Sequence, residues 1–153
     1  MTTIQLTPVP QGEYKSAIRH GDLIFTAGMT PRRNGVLAFH GKVDQLEGLD
    51  SVREAVDLAA ENALSAVTSQ LKEAETISAL VSLTVFLNAR EGFESHSRIA
   101  DLASGFFKRK LGTAGVGPRC SVGVNSLPSN APVEIQIIAT VASCPDGMAR
   151  AEP

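Results

Sequence analysis

The period of the apolar positions changes several times along the chain, and each change marks an element. Ser16-Ala-Ile-Arg19 and Leu23-Ile-Phe-Thr-Ala27 are short apolar runs around His20-Gly21-Asp22, the form of a β-hairpin, and Gly28 ends its second strand. Pro31, Asn34-Gly35, Gly41 and Gly48 interrupt the next twenty residues, leaving loops with at most a short strand at Val36 to Phe39. From Ser51 the period lengthens. Val52, Val56, Ala59, Ala60, Ala63, Leu64, Val67 and Leu71 make one stripe, which predicts a helix to about Lys72, opened by a capping box of Ser51 and Glu54. Ile77, Ala79, Val81, Leu83, Val85 and Leu87 then alternate with Ser78, Ser82 and Thr84, as in a strand with one face in a core, while Leu80 and Phe86 make its other face partly apolar. Ile99, Leu102, Ala103, Phe106 and Phe107 form a second helical stripe, with Lys108, Arg109 and Lys110 in the last turn and Gly112 just past it. Strands at Arg119 to Val124 and Val133 to Val141 complete the pattern, and a polar tail from about residue 144 is expected to fray.

This order is α+β, and two helices can cover only one face of a sheet of about six strands. Ile138 beside Ile137, with Leu80 and Phe86, suggests that the other face is buried as well, most simply against further copies of the chain. With 153 residues, 43% hydrophobic and 20% charged, residues 1–153 read as a single globular domain. A net charge of -2 supplies no basic field for sequence-independent phosphate binding, so nucleic acid is not expected as a partner. Cys120 and Cys144 can form neither a disulfide scaffold nor, lacking the necessary spacing, a zinc site. The N-terminus has neither a basic nor an apolar leader region, and no apolar stretch is long enough to span a membrane, so a cytoplasmic protein is expected.

Gly112-Thr-Ala-Gly115-Val-Gly117 follows a helix and precedes a strand, the reverse of a nucleotide-binding loop, and is expected to be mobile. His20, His40 and His96 share no spacing and read as surface residues. Arg119 and Glu134 open the last two strands among apolar neighbours, where a charge is either paired, functional or at a wet edge. If these strands form a hairpin whose paired positions sum to 257, Arg119 and Glu134 share a face, with Glu134 opposite Gly123.

Tyr14-x-x-Ala17, Gly21-x-Leu23-x-Phe25-x-Ala27-Gly28, Thr84-Val-Phe-Leu87 with Phe93, Pro118-Arg119-Cys-Ser-Val122, Leu127-Pro128 and Val133-Glu134-Ile135 together resemble the Rid/YjgF family, the reactive intermediate deaminases, also called L-PSP endoribonucleases. The resemblance runs from about Tyr14 to Val141. It implies a chorismate-mutase-like fold of the bacterial type and a homotrimer with ligand clefts between subunits. It also implies Arg119 as the grip on a substrate carboxylate, Glu134 as the group that handles the attacking water, and Tyr14, Gly28, Met29, Asn88 and Ser121 as pocket-lining positions. The chain departs from many deaminases in having Ala27-Gly28-Met29 for Ser-Gly-Gln, Ser121 where they carry a Cys, and a longer segment from Lys108 to Gly117.

The chemistry fits those residue types. Enamines and imines such as 2-aminoacrylate and 2-iminopropanoate carry a carboxylate beside an electrophilic carbon; a guanidinium can hold the first while a carboxylate orients water toward the second. The expected activity is hydrolytic deamination to 2-oxo acids and ammonium, without metal or organic cofactor. The alternatives are non-catalytic binding of small carboxylic acids in the same cleft, and an endoribonuclease supported by Arg32-Arg33 and Lys108 to Lys110.

Overall fold

The computed structural model describes residues 7–45 and 47–143; the tail from about residue 144, with Cys144, lies outside them. The elements are β1 (Ala17–His20), β2 (Leu23–Thr26), β3 (Arg32–Arg33), β4 (Val36–Leu37), α1 (Asp50–Thr68), β5 (Glu75–Asn88), α2 (His96–Leu111), β6 (Arg119–Val124) and β7 (Val133–Ser143). Five strands make a mixed sheet in the order β1-β2-β7-β5-β6, with β5 and β6 parallel and the other pairs antiparallel. The expected sixth strand is instead a separate ribbon of β3 and β4. Asn34 and Gly35, at φ 51° and 79°, turn the chain back on itself after two residue pairs. The Asn62 amide then holds the Thr30 and Arg32 carbonyls, tying the ribbon to α1.

Both helices lie on one face. Val85, Leu87, Val133, Ile135 and Ile137 are buried beneath Val56, Ala59, Ala60, Ala63 and Val67 of α1 and Ile99, Ala103 and Phe107 of α2. The small residues of α1 allow close packing on the sheet, while Phe107 alone contributes on the order of 2–3 kcal/mol by burial. The helices occupy the expected segments, but α1 starts at Asp50 without a capping box: the Ser51 hydroxyl donates to the Gly48 carbonyl. It ends at Thr68, where Ser69, Gln70 and Leu71 close a tight turn.

Two expectations fail for topological and packing reasons. β6 and β7 are not a hairpin, because β5 lies between them: α2 carries the chain across from β5 to β6, and residues 125–132 pass the end of β5 to reach β7. The segment from Gly112 to Gly117 is packed structure, beginning with a 3-10 turn at Gly112–Gly115. A Cβ at Gly115 would run into the Phe107 carbonyl, and one at Gly117 into the Leu80 carbonyl. Backbone there cannot give way as a flexible side chain would. Gly117→Ala is therefore expected to cost more than about 2 kcal/mol; a melting temperature equal to wild type would show that the contact relaxes freely.

The edge strand β1 is tied to the start of β5 by Arg19, which donates to both carboxylate oxygens of Glu75 at 2.6 and 2.9 Å. The Lys72 amide adds a third bond at 2.7 Å. The Arg19 hydrogen bond, followed by that of Lys72, lowers the Glu75 pKa from 4.5 to about 2. A depressed acid contributes stability above its unfolded pKa and loses it as pH falls through the folded one. Glu75→Gln is thus expected to be less stable than wild type at pH 7, with the gap closing between about pH 5 and pH 2 in urea denaturation. A gap independent of pH would assign the loss to packing.

Candidate functional site

Strand parity decides how the two charged candidates are disposed. Leu83 of β5 pairs with Arg119 on one side and Ile137 on the other, and Phe86 pairs with Val122 and Glu134. The register shifts of β5 lie earlier, between Ile77 and Ala79 and between Leu80 and Ser82, so the three-residue step from Leu83 to Phe86 changes face. Arg119 points to the helix side and Glu134 to the open side. They are also separated by roughly 10 Å along the strands and roughly 10 Å across them. One chain does not bring them together, and Gly123 opposes Leu87 of β5, not Glu134. Gly123 makes room for a side chain of the same chain: a Cβ there would lie 2.6 Å from His96 Nε2.

Arg119 is held by the start of α2. Its Nη1 lies 2.7 Å from Asp101 Oδ1 and donates to Ser104 Oγ at 2.9 Å, while Nη2 donates to the Ser97 carbonyl at 3.2 Å. Nε makes no hydrogen bond among the described residues, which leaves one edge of the guanidinium for a ligand. Ser121 follows on the same face and donates to the His96 carbonyl at 3.0 Å. His96, read from sequence as a surface residue, is half-buried, edge-on to Phe93. The signal for this wall was present in the sequence as a polar stripe, Ser97, Asp101 and Ser104, at i, i+4 and i+7 of an otherwise amphipathic helix.

The second wall is built around Glu134. Its carboxyl lies over Gly28, where any Cβ would occupy the place of the carboxyl group. Met29 is pinned there by reciprocal backbone bonds with Ile135, at 2.8 and 2.9 Å. Glu134 is half-buried, with no hydrogen bond or ion pair among the described residues, and that burial raises its pKa above the ordinary value. Tyr14, half exposed, accepts a hydrogen bond from the Gln11 amide and, with Gly28 and Met29, lines a cavity of about 330 Å³. Asn88, expected to line the pocket, has no exposed surface. Its amide is spanned between Lys42 Nζ and Asn130 Oδ1, so in this chain it clamps strand ends.

The sequence matches the endoribonuclease L-PSP family over residues 4–141. The chain belongs to that family. Among solved structures it is similar to Atu1372 of Agrobacterium tumefaciens, a protein of unknown function, with 29% identity and a TM-score of 0.78 over 85% of this chain and 82% of the other. Escherichia coli TdcF with bound serine shares the fold at 23% identity, TM-score 0.64, over 88% and 92% of the two chains. The YjgF gene product of the same organism does so at 20% identity and the same TM-score, over 88% and 92%. The fold is therefore the chorismate-mutase-like fold of the YjgF proteins. Among the described residues of this L-PSP-family chain, no helix is long and apolar enough to cross a membrane, and no cluster of His, Cys, Asp and Glu could hold a metal ion.

Burial favours the neutral form of Glu134, so its titration should lie above the ordinary glutamate range. Gly28→Ala should push the carboxyl into solvent and return it toward that range; carboxyl carbon NMR titration checks both. A wild-type Glu134 with an ordinary pKa would show that water reaches it freely.

Proposed function

We propose that this protein hydrolyses small imines and enamines that carry a carboxylate, giving 2-oxo acids and ammonium, in a cleft formed between copies of the chain in a homotrimer. The observation that carries the reading is Glu134, a half-buried carboxylate with a raised pKa and no partner among the described residues. Burial makes this acid a better proton acceptor than an ordinary glutamate once it is ionised. Arg119 on the other face supplies the complementary charge, and a second copy is needed to set one against the other. The open face supports such an assembly: Ile18 and Val122 are exposed there, Phe25, Phe86 and Ile138 half-buried, and no described element covers them.

In this reading the free edge of Arg119 binds the substrate carboxylate and fixes the adjacent imine carbon opposite Glu134 of a neighbouring copy. The imine reacts in its protonated, iminium form: Glu134 accepts a proton from water as the water oxygen bonds to that carbon, and the C=N π electrons move to nitrogen, leaving a neutral amine. Return of that proton from Glu134 to nitrogen lets the C–N bond break; ammonia leaves with the bonding pair while the hydroxyl proton passes back to the Glu134 carboxylate and the carbonyl forms. An enamine substrate first takes a proton on carbon to become the imine. Asp101 and Ser104 act as positioning residues for the guanidinium. The ribonuclease reading has less support. Arg109 is paired with Asp57, and Lys110 lies over the Phe106 ring, so the basic end of α2 is largely engaged within the chain.

The test uses imines generated in situ by an amino-acid oxidase. Arg119→Ala should reduce 2-iminopropanoate hydrolysis at least about a hundredfold, chiefly through KM, and Glu134→Gln should lower kcat about as much while carboxylate binding survives. Wild-type activity should fall on the acid side with an inflection set by Glu134. Hydrolysis by Arg119→Ala at the wild-type rate, or a stable monomer in sedimentation equilibrium, would overturn the assignment.

A further inference from the structure

The imine reading gives the His96 imidazole no role, although the chain provides a seat for it. His96 opens α2 and is half-buried, its ring edge-on to Phe93 with 5.0 Å between centroids. Beneath it β6 is bare at Gly123: a Cβ there would lie 2.6 Å from Nε2, so the ring rests where a side chain would otherwise begin. A glycine inside a strand weakens the strand, and here it permits this close approach. The backbone is held as well, because the His96 carbonyl accepts from Ser121 Oγ at 3.0 Å. Neither ring nitrogen, however, has a hydrogen bond or ion pair among the described residues.

The ring shares a wall with the carboxylate anchor. Arg119, Ser121 and Gly123 follow at alternate positions of β6, on the face that α2 covers. The Arg119 guanidinium donates to the Ser97 carbonyl at 3.2 Å, and His96 is the residue before Ser97. Consecutive Cα atoms are about 3.8 Å apart, which puts guanidinium and imidazole on the order of 10 Å from each other along this wall. A 2-imino acid held by its carboxylate at Arg119 covers that distance only with its side chain. A carboxylate and a carboxamide separated by three carbons, with a hydrogen bond of about 2.9 Å at each end, span roughly as much.

We propose that His96 is a specificity-determining residue of the imine cleft, a step that rests on the imine reading: its ring receives the end of the substrate's side chain and favours 2-imino acids ending in a carboxamide over those with an apolar end. A neutral imidazole carries one donor and one acceptor nitrogen, and a carboxamide can answer either. An apolar side chain of the same length displaces water from the ring and returns no hydrogen bond, the asymmetry by which a polar site rejects a close analogue. Arg119 and Glu134 act on the carboxylate and the reacting carbon that all such substrates share, so they do not make this distinction.

Imines made in situ by an amino-acid oxidase from L-glutamine and from L-norleucine, whose side chains are of similar length, test this on the intact protein. Wild-type kcat/KM should favour the glutamine-derived imine about tenfold. His96→Phe should bring that ratio to about one, as should Gly123→Ala, which displaces the ring, whereas His96→Gln should keep most of it. Nitrogen-15 NMR of the histidine rings adds a readout that needs neither turnover nor a variant: the 2-oxo acid of glutamine should shift the His96 ring nitrogens and 2-oxohexanoate should not. A wild-type ratio near one, a ratio that His96→Phe leaves unchanged, or ring nitrogens that ignore the glutamine-derived 2-oxo acid would each overturn the role of His96, while hydrolysis of 2-iminopropanoate would still uphold the imine reading. Wild-type protein that hydrolyses none of these imines would overturn both.

Discussion

Side chains on a strand alternate between faces, and a strand inserted between two others fixes their relative facing through its own residue count. In this protein β5 is that strand. Arg119 is level with Leu83 and Glu134 with Phe86, so an odd step separates them, and the guanidinium and the carboxyl emerge on opposite faces. The rest of the site's logic depends on this. Arg119 is gathered into the polar stripe of α2, while Glu134 is left on the face that no helix covers. One face of the sheet lies under the helices, and the other bears Glu134 with the exposed or half-buried apolar Ile18, Phe25, Phe86, Val122 and Ile138, the face on which the proposed trimer would assemble.

The two walls differ in electrostatic finish. Arg119 has an acidic neighbour, a hydroxyl and a carbonyl, so its charge is compensated and its position narrowly defined. Glu134 has none of these and is stored against Gly28 at the expense of its own ionisation. In the proposed reading this division suits the two roles: Arg119 as an anchor gains from rigidity, and Glu134 as a base gains from a displaced pKa and freedom to meet water. Tyr14, Gly28 and Met29 group with the second wall and Ser121 with the first, whereas Asn88 is sealed within strand-end contacts.

Glycine marks several of the close approaches. Gly28 lies beneath the Glu134 carboxyl, Gly123 beneath the His96 ring, and Gly115 and Gly117 against carbonyls of Phe107 and Leu80. The last two explain why a glycine-rich link became packed structure. Their missing side chains serve contact with neighbouring backbone, a use that resembles flexibility when only composition is read.

The sequence by itself determined the elements and the residue types they carry. Local periodicity encodes helix and strand, and it placed the β1–β2 hairpin, both helices and the three long strands within a few residues of where they lie. The combined pattern from Tyr14 to Ile135, most specifically Arg119, Leu127-Pro128 and Glu134, pointed to the family that the match over residues 4–141 shows. Strand order was decided only by the tertiary structure. Nothing local in Arg119 to Val141 states that β5 will lie between β6 and β7, since that pairing joins residues more than 30 positions apart and is settled by which faces α1 and α2 can bury together. Two local readings failed locally: the Ser51 hydroxyl turns back to Gly48 in place of a capping box, and the sixth strand pairs with the adjacent β3 and stays out of the sheet. The shared face of Arg119 and Glu134 failed because a distant strand, β5, supplied both of their partners, and no local pattern can state that choice.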